Sequence, residues 1–258
     1  ADDRYRFVGA IADLTVNSTV FAADIPFNFK IEGNLAFASL KRRFGNTNLF
    51  IGGTVMALDA DVEFKLGGGD LPPIEFFDFD FQTTGVALSG IYDARDDSMM
   101  PSSGQLVDLT GWWYDEAIGS DFNYTSFRLK AHSFHQLHEK FVLGVRFDAS
   151  TVGGNPPFFA IPFVSIRGIP ALRYQGDTAG VFEVEGRYRF HHRWAALAFA
   201  GAGYTDTSAP IFDTDNNIRA GGVGVRYMAL ESQNVWVGLD LAWGPEDEAW
   251  YIQVGHPW

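Results

Sequence analysis

The sequence has no cysteine, so it offers no disulfide framework and no thiol chemistry. It is poor in cations: 19 lysines and arginines face 32 aspartates and glutamates, a net charge of −13. That argues against a nucleic-acid partner, whose phosphates need a basic face. No apolar run reaches about 18 residues, so no transmembrane helix is encoded. The chain opens on Ala1 without a charged-then-apolar leader. What it has is 28 glycines and 16 % aromatics, with 24 phenylalanines among them. Its 258 residues allow one large all-β domain or two small ones. A soluble sandwich or barrel and a transmembrane barrel both fit. The mean hydropathy of −0.04 does not separate them, because a membrane barrel is half polar by construction.

Periodicity separates them. Phe141, Leu143, Val145 and Phe147 alternate with Val142, Gly144, Arg146 and Asp148. Phe27, Phe29, Ile31, Leu35 and Phe37 alternate with Asn28, Lys30, Glu32 and Asn34. Val235, Val237, Leu239, Leu241 and Trp243 alternate with Asn234, Trp236, Gly238, Asp240 and Ala242. A period of two over about ten residues is a strand with one apolar face. Mid-strand charges of both signs on the other face point to a wet, paired barrel interior.

About twelve such segments follow: 4–17, 27–42, 47–65, 77–94, 105–116, 122–136, 139–151, 178–191, 194–206, 217–230, 234–244 and 249–258. Long connections at 18–26, 66–76, 152–177 and 207–216 alternate with short ones at 43–46, 137–138, 192–193 and 231–233; 95–104 is the exception. Long loops on one rim and short turns on the other is the outer-membrane pattern, short turns facing the periplasm. An even strand number puts both termini on the periplasmic rim. A change of apolar phase between Tyr124 and Phe127 predicts a bulge. Without a linker or low-complexity stretch, 1–258 reads as a single barrel domain. Trp112, Trp113, Trp243, Trp250 and Trp258 lie near strand ends, where a membrane girdle places its aromatics. The expected fold is therefore an all-β, antiparallel transmembrane β-barrel of about 12 strands, with a long loop folded into the lumen.

The terminal WYIQVGHPW puts Trp250, Ile252, Val254 and Trp258 on one face and ends on an aromatic. This resembles the signal that outer-membrane assembly machinery reads. YDARDDSMMPSSG at 92–104, SIRGIP at 165–170, EVEGRYRF at 183–190, AALAFAGAGY at 195–204, GGVGVRYM at 221–228 and VGLDLA at 237–242 follow in order. Together they resemble the bacterial surface antigen family, the barrels of BamA/TamA-like assembly factors and two-partner-secretion translocators. The resemblance is clear over about 86–258 and rests on strand pattern before that. It implies a short, barrel-only member lacking periplasmic polypeptide-transport-associated domains, since relatives have about sixteen strands. It also implies that the Arg-Gly loop folds back into the lumen and that its arginine pairs with strand carboxylates. The family's glycine-rich strand carries an aspartate facing that arginine. Here Phe199-Ala200-Gly201-Ala202-Gly203 has none.

The residues support such a loop. The connection 152–177 is far longer than usual, and Phe158, Phe159, Ile161, Phe163 and Ile166 suit a shielded lumen better than water. Alternation puts Glu183, Glu185, Arg187 and Arg189 on one face of their strand. The expectation is that Arg167 pairs with Glu185, with Glu183 in reserve. Gly168 allows the sharp turn, and Gly201 and Gly203 form a groove. The alternative is a surface loop with an exposed arginine. In the 93–104 turn, Asp93, Arg95, Asp96 and Asp97 form a charge cluster shaped by Pro101 and Gly104. Stiffening of the turn is the expected role, with a divalent ion as the alternative. The last strand should close against the first, with Gly255 and Pro257 weakening the periplasmic end of that seam; alternatively the proline blocks aberrant pairing.

His132, His135, His138, His191, His192 and His256 map to the periplasmic rim as solvated polars, with a metal site as the alternative. His132 and Ser133 point to opposite faces, and no Gly-x-Ser-x-Gly elbow exists, so no enzyme is expected. No cofactor is implied. The expected function is transport or insertion of lipid or protein at the weak seam. A structural or oligomeric scaffold and a passive pore are the alternatives. Expected partners are outer-membrane lipid, the assembly machinery during biogenesis, and either a second copy or a separate periplasmic partner.

Overall fold

The computed structural model describes residues 4–22, 25–66, 74–206, 218–246 and 248–258. Twelve strands carry the fold: β1 (Tyr5–Ala22), β2 (Ile25–Arg43), β3 (Leu49–Leu66), β4 (Ile74–Asp93), β5 (Gly104–Tyr114) and β6 (Tyr124–His138) in the first half. β7 (Phe141–Gly154), β8 (Thr178–His191), β9 (Trp194–Asp206), β10 (Ile218–Leu230), β11 (Val235–Trp243) and β12 (Glu248–Val254) complete it. They form one sheet in chain order, and every neighbouring pair, from β1 with β2 to β11 with β12, is antiparallel. The architecture is an antiparallel transmembrane barrel. Each strand falls on a segment marked by the period of two, and β8 and β9 match it to the residue.

The faces of β7 and β8 follow from alternation. Val142, Gly144, Glu183, Glu185 and Arg187 are buried, whereas Phe147, Phe182 and Tyr188 are exposed to the outside. In β2 the phase is the reverse of the one expected from polarity. Phe29 and Ile31 are buried in the lumen with Val62, Phe81 and the loop residues Phe158 and Phe159. Asn28, Glu32 and Asn34 are exposed on the outer face.

Length explains the inversion. β1 to β4 have 18 to 20 residues, roughly twice the 9–11 that a tilted strand needs to cross a bilayer. Their outer faces are apolar near the termini, at Phe7, Ile11, Leu40, Val55 and Leu88. Further along they turn polar. Thr15, Glu32, Asp61 and Asp80 lie side by side across the four strands. Beyond the hydrocarbon the outside meets water, so the apolar residues move inside.

Other expectations change for similar reasons. The connection placed at 18–26 is strand up to Ala22 and again from Ile25; within it Thr19 is an outward-facing strand residue whose side chain bonds Asn28 at 2.8 Å. Much of the 66–76 and 207–216 connections lies outside the described residues. No bulge separates Tyr124 from Phe127: β6 pairs β7 in unbroken register from Tyr124 to Gln136, and shifts only between Gln136 and His138. Tyr124 is a lumenal aromatic stacked on Tyr114, while Phe127 faces outward. Opposite faces, not an extra residue, caused the change of phase. Trp113, Trp243 and Trp250 are exposed as a girdle requires, but Trp112 stacks on lumenal Tyr114.

Among the described residues no ladder joins β1 to β12. Ile11 is 89 % exposed and Ile252 86 %. β12 has 7 residues and β1 has 18.

Candidate functional site

The connection after β7 forms its own small hairpin inside the barrel. Phe163 bridges Gln175, Val164 N–H donates to Tyr174 O at 2.9 Å, and Gly176 N–H donates to Pro162 O at 3.0 Å. Its tip is a turn, closed by Ile169 N–H donating to Ile166 O at 3.1 Å. Arg167 and Gly168 are its two central residues. Gly168 has φ +94°, which a turn with glycine at its third position requires. A Cβ there would also press on the Trp243 backbone. The tip is tied to the end of the sheet: Gly168 N–H donates to the Tyr251 hydroxyl at 2.9 Å, and Tyr174 and Arg173 both meet Glu246.

Arg167 is 7 % exposed and makes charge-assisted bonds to three carboxylates. Nη1 donates to Asp240 at 2.9 Å, and Nη2 donates to Glu183 at 2.5 Å and Glu185 at 2.8 Å. Its guanidinium lies 3.5 Å from the centroid of the Phe199 ring, a cation–π contact. Burial works against its charge, but Glu185 and Glu183 more than offset this and hold its pKa above the ordinary value. Asp240 also receives two bonds from Arg226, which is fully buried. Arg146 approaches Glu183 at 3.8 Å and holds Asp148, which also bonds His132 at 2.9 Å. A charge network thus runs across the lumen from β6 to β11.

Gly203 makes room for the loop, since a Cβ there would overlap Val164. Gly201 lies against Glu183 and the Phe182 carbonyl instead, so it supports the carboxylate rather than the loop.

The end of the chain departs from its expected place. β12 stops at Val254, and Gly255 at φ +76° turns the chain inward. Gly255 and Pro257 therefore do not sit on the β1–β12 seam, and Trp258 leaves the face shared by Trp250, Ile252 and Val254. His256 bonds Glu185 at 3.1 Å. The Trp258 indole donates to Glu183 at 2.9 Å and stacks on Phe134. His132 and His256 are accordingly buried lumenal groups, not solvated rim polars. Asp240, Phe199, Arg226, Arg146, Asp148, His132, His256 and Trp258 are network members that motif reading did not assign. Asp240 carried a usable signal as the only ionisable residue of β11.

The 94–103 turn closes the opposite end. Arg95 forks onto Asp93 with two bonds of 3.0 Å. Asp96 accepts from the N–H groups of Asp97, Ser102 and Ser103. Asp97 accepts from Met99, Met100 and Asn234. Each carboxylate thus has its own partners, and among the described residues no group of His, Asp and Glu is arranged to hold a metal. Gly104 at φ +100° packs on the Ala94 carbonyl. The turn does more than stiffen a rim: Met100 packs with Ala195 and Trp236, and Pro101 O accepts from Arg187 at 2.5 Å.

Ser133 Oγ and His135 Nε2 lie 2.8 Å apart. No further hydrogen bond to His135 exists among the described residues, so the pair lacks the orienting group that nucleophilic chemistry needs.

A family model described as the Omp85 superfamily domain matches residues 15–163. The match takes in the strands before residue 86, where motif resemblance was silent. The structure of BamA from Haemophilus ducreyi lacking POTRA domains 1–3 superposes with TM-score 0.71 at 11 % identity, covering 97 % of this chain and 59 % of that one. This chain therefore spans less than two thirds of that BamA chain, and at such identity the likeness shows the fold. An outer-membrane channel from Pseudomonas putida F1 (TM-score 0.40, 13 % identity, 98 % of each chain) and a Pseudomonas aeruginosa FadL homologue (TM-score 0.46, 13 % identity, 98 % of this chain and 68 % of that one) superpose more loosely. A comparison with curated proteins gave no match.

Proposed function

The chain belongs to the Omp85 superfamily, and on that premise we propose that it transports or inserts lipid or protein at the seam between β1 and β12. Family and fold point to the bacterial outer membrane. The observation that carries the proposal is the lack, among the described residues, of a ladder between the first and last strands. Beside it stands a lumen occupied by the Arg167 hairpin, the 94–103 turn and residues 256–258. A filled lumen disfavours a passive pore and leaves the side of the barrel as the route. Both termini belong on the periplasmic rim, because the connections on their side other than 94–103 have five residues or fewer, whereas the longest, 155–177, is on the other side. The Arg167 lock braces the wall between β8 and β11, and Gly168 beside it reaches Tyr251 on β12 at one side of the seam. The second reading is a scaffold, as a homodimer or with a separate periplasmic partner. Exposed Trp250, Ile252 and Val254 at the β12 edge favour that reading. No hydrolytic activity is assigned to Ser133.

A disulfide across the seam tests the proposal, and the absence of native cysteine makes it clean. Val8→Cys, Ala10→Cys or Ala12→Cys is combined with Gln253→Cys, and each barrel is placed in liposomes with fluorescent lipid. Flip-flop that is fast when reduced and slow when oxidised supports the seam route. Flip-flop that is absent, or indifferent to the lock, removes the lipid reading and puts the scaffold first.

A further inference from the structure

A separate cavity of about 390 Å³ lies between the lumenal faces of β5 to β8 and loop residues 159–165. Its size falls at the lower end of small-ligand sites, roughly 300–1,000 Å³. One wall is an aromatic row. Trp112 stacks on Tyr114 with centroids 5.7 Å apart at 18°, and Tyr114 stacks on Tyr124 at 4.2 Å and 7°. The ceiling is apolar, with Phe159, Ile161, Pro162 and Phe163.

Charge at the other end is one-sided. Arg128 and Lys130 line the cavity with Arg146, against the single carboxylate Asp148. Asp148 is already engaged by Arg146 and His132. Asp108, opposite Lys130 on β5, accepts from Thr110 at 2.8 Å. Among the described residues neither Arg128 nor Lys130 forms an ion pair within 4 Å. Two cations without a carboxylate partner beside an aromatic stack are unusual in a chain of net charge −13. They are not required by the lock, whose carboxylates have other partners.

We propose that this cavity is a binding site for a small, ring-bearing anion. The ring packs against the Trp112–Tyr114–Tyr124 stack, and its carboxylate or phosphate is held by Arg128 and Lys130. Rings pack on aromatic groups offset-stacked or edge-to-face, and charge-assisted bonds fix the acidic group. The site is independent of the β1–β12 seam, so it stands or falls separately from the transport proposal.

The test is titration calorimetry on the intact chain in detergent micelles. Two probes distinguish the source of the anion: 4-hydroxybenzoate for an aromatic carboxylate and glucose 6-phosphate for a sugar phosphate. Phenol, glucose and inorganic phosphate are the controls. The expected result is saturable binding of one or both probes, at least tenfold tighter than every control. Arg128→Gln with Lys130→Gln is expected to weaken binding at least tenfold. Ser126→Phe fills the cavity while keeping both cations, and is expected to abolish binding. Heat-modifiable gel mobility checks that each variant folds. The proposal is overturned if neither probe saturates, if inorganic phosphate binds as well as the probes, or if both folded variants bind like the parent.

Discussion

Replacing Arg167 with alanine removes the one residue that joins the lumenal hairpin to three strand carboxylates. Three separate charge-assisted bonds would sum to a large figure, but the carboxylates are not all abandoned. Asp240 keeps Arg226, Glu185 keeps His256, and Glu183 keeps the Trp258 indole. The loss should therefore resemble that of breaking one buried ion pair, about 3–5 kcal/mol. At ~1.4 kcal/mol per tenfold change, the open form of the hairpin rises by roughly two to three and a half orders of magnitude. Hydrogen exchange reads this directly. The Val164 and Gly176 amides, bonded to Tyr174 and Pro162, should exchange faster by at least about a hundredfold, while amides of the β7–β8 ladder stay within a few-fold. Arg167→Lys, with one charge and no fork, should fall between. If the hairpin amides of Arg167→Ala change less than about fivefold, the lock does not hold the hairpin and the reasoning is refuted. Equal acceleration throughout the barrel would refute it too, because the effect would then be global.

Gly203→Val places a side chain where Val164 now sits; overpacking of this kind costs about 1–3 kcal/mol and should raise exchange at the Val164 amide without altering β1 to β4. Leu109→Arg puts a charge on the outer apolar band and should cost up to ~2–4 kcal/mol in a denaturant titration in vesicles. Asp61→Arg, beyond the band, should stay within about 0.5 kcal/mol. Burial raises the Asp97 pKa, but bonds from Asn234, Met100 and Met99 outweigh it and leave the pKa below the ordinary value. Its contribution is therefore present above the unfolded carboxylate pKa and lost as pH falls through the lower folded value. Exchange at the Met99 and Met100 amides should rise on acidification in the parent, and Asp97→Asn should flatten that rise.

The strands were legible because a period of two survives twelve repetitions and tolerates soft boundaries. The phase of β2 was not, because alternation looks the same whether polar residues face lumen or water. Only the 18-to-20-residue lengths of β1 to β4 reveal that half of each has left the hydrocarbon. The arginine's partners were partly readable: Glu183 and Glu185 stand on the charged phase of β8. Asp240 reaches the same guanidinium from β11, outside the 199–203 segment, and sequence motifs do not register across strands. The inward turn of 255–258 had no periodic trace, since three residues after a glycine are too few to show one.

The seam strands carry an arithmetic of their own. If every residue of β12 found a partner on β1, 18 − 7 leaves 11 residues of β1 with a bare hydrogen-bonding edge. In hydrocarbon such an edge is prohibitive, because each orphaned peptide group costs several kcal/mol. But the outer face of β1 past Ile11 is Asp13, Thr15, Asn17 and Thr19, residues suited to water. There, solvent can complete the peptide groups that β12 is too short to reach. The strand is thus free to overhang its neighbour without forcing closure, and its unpaired length offers a wet backbone template to any chain that approaches from outside the bilayer.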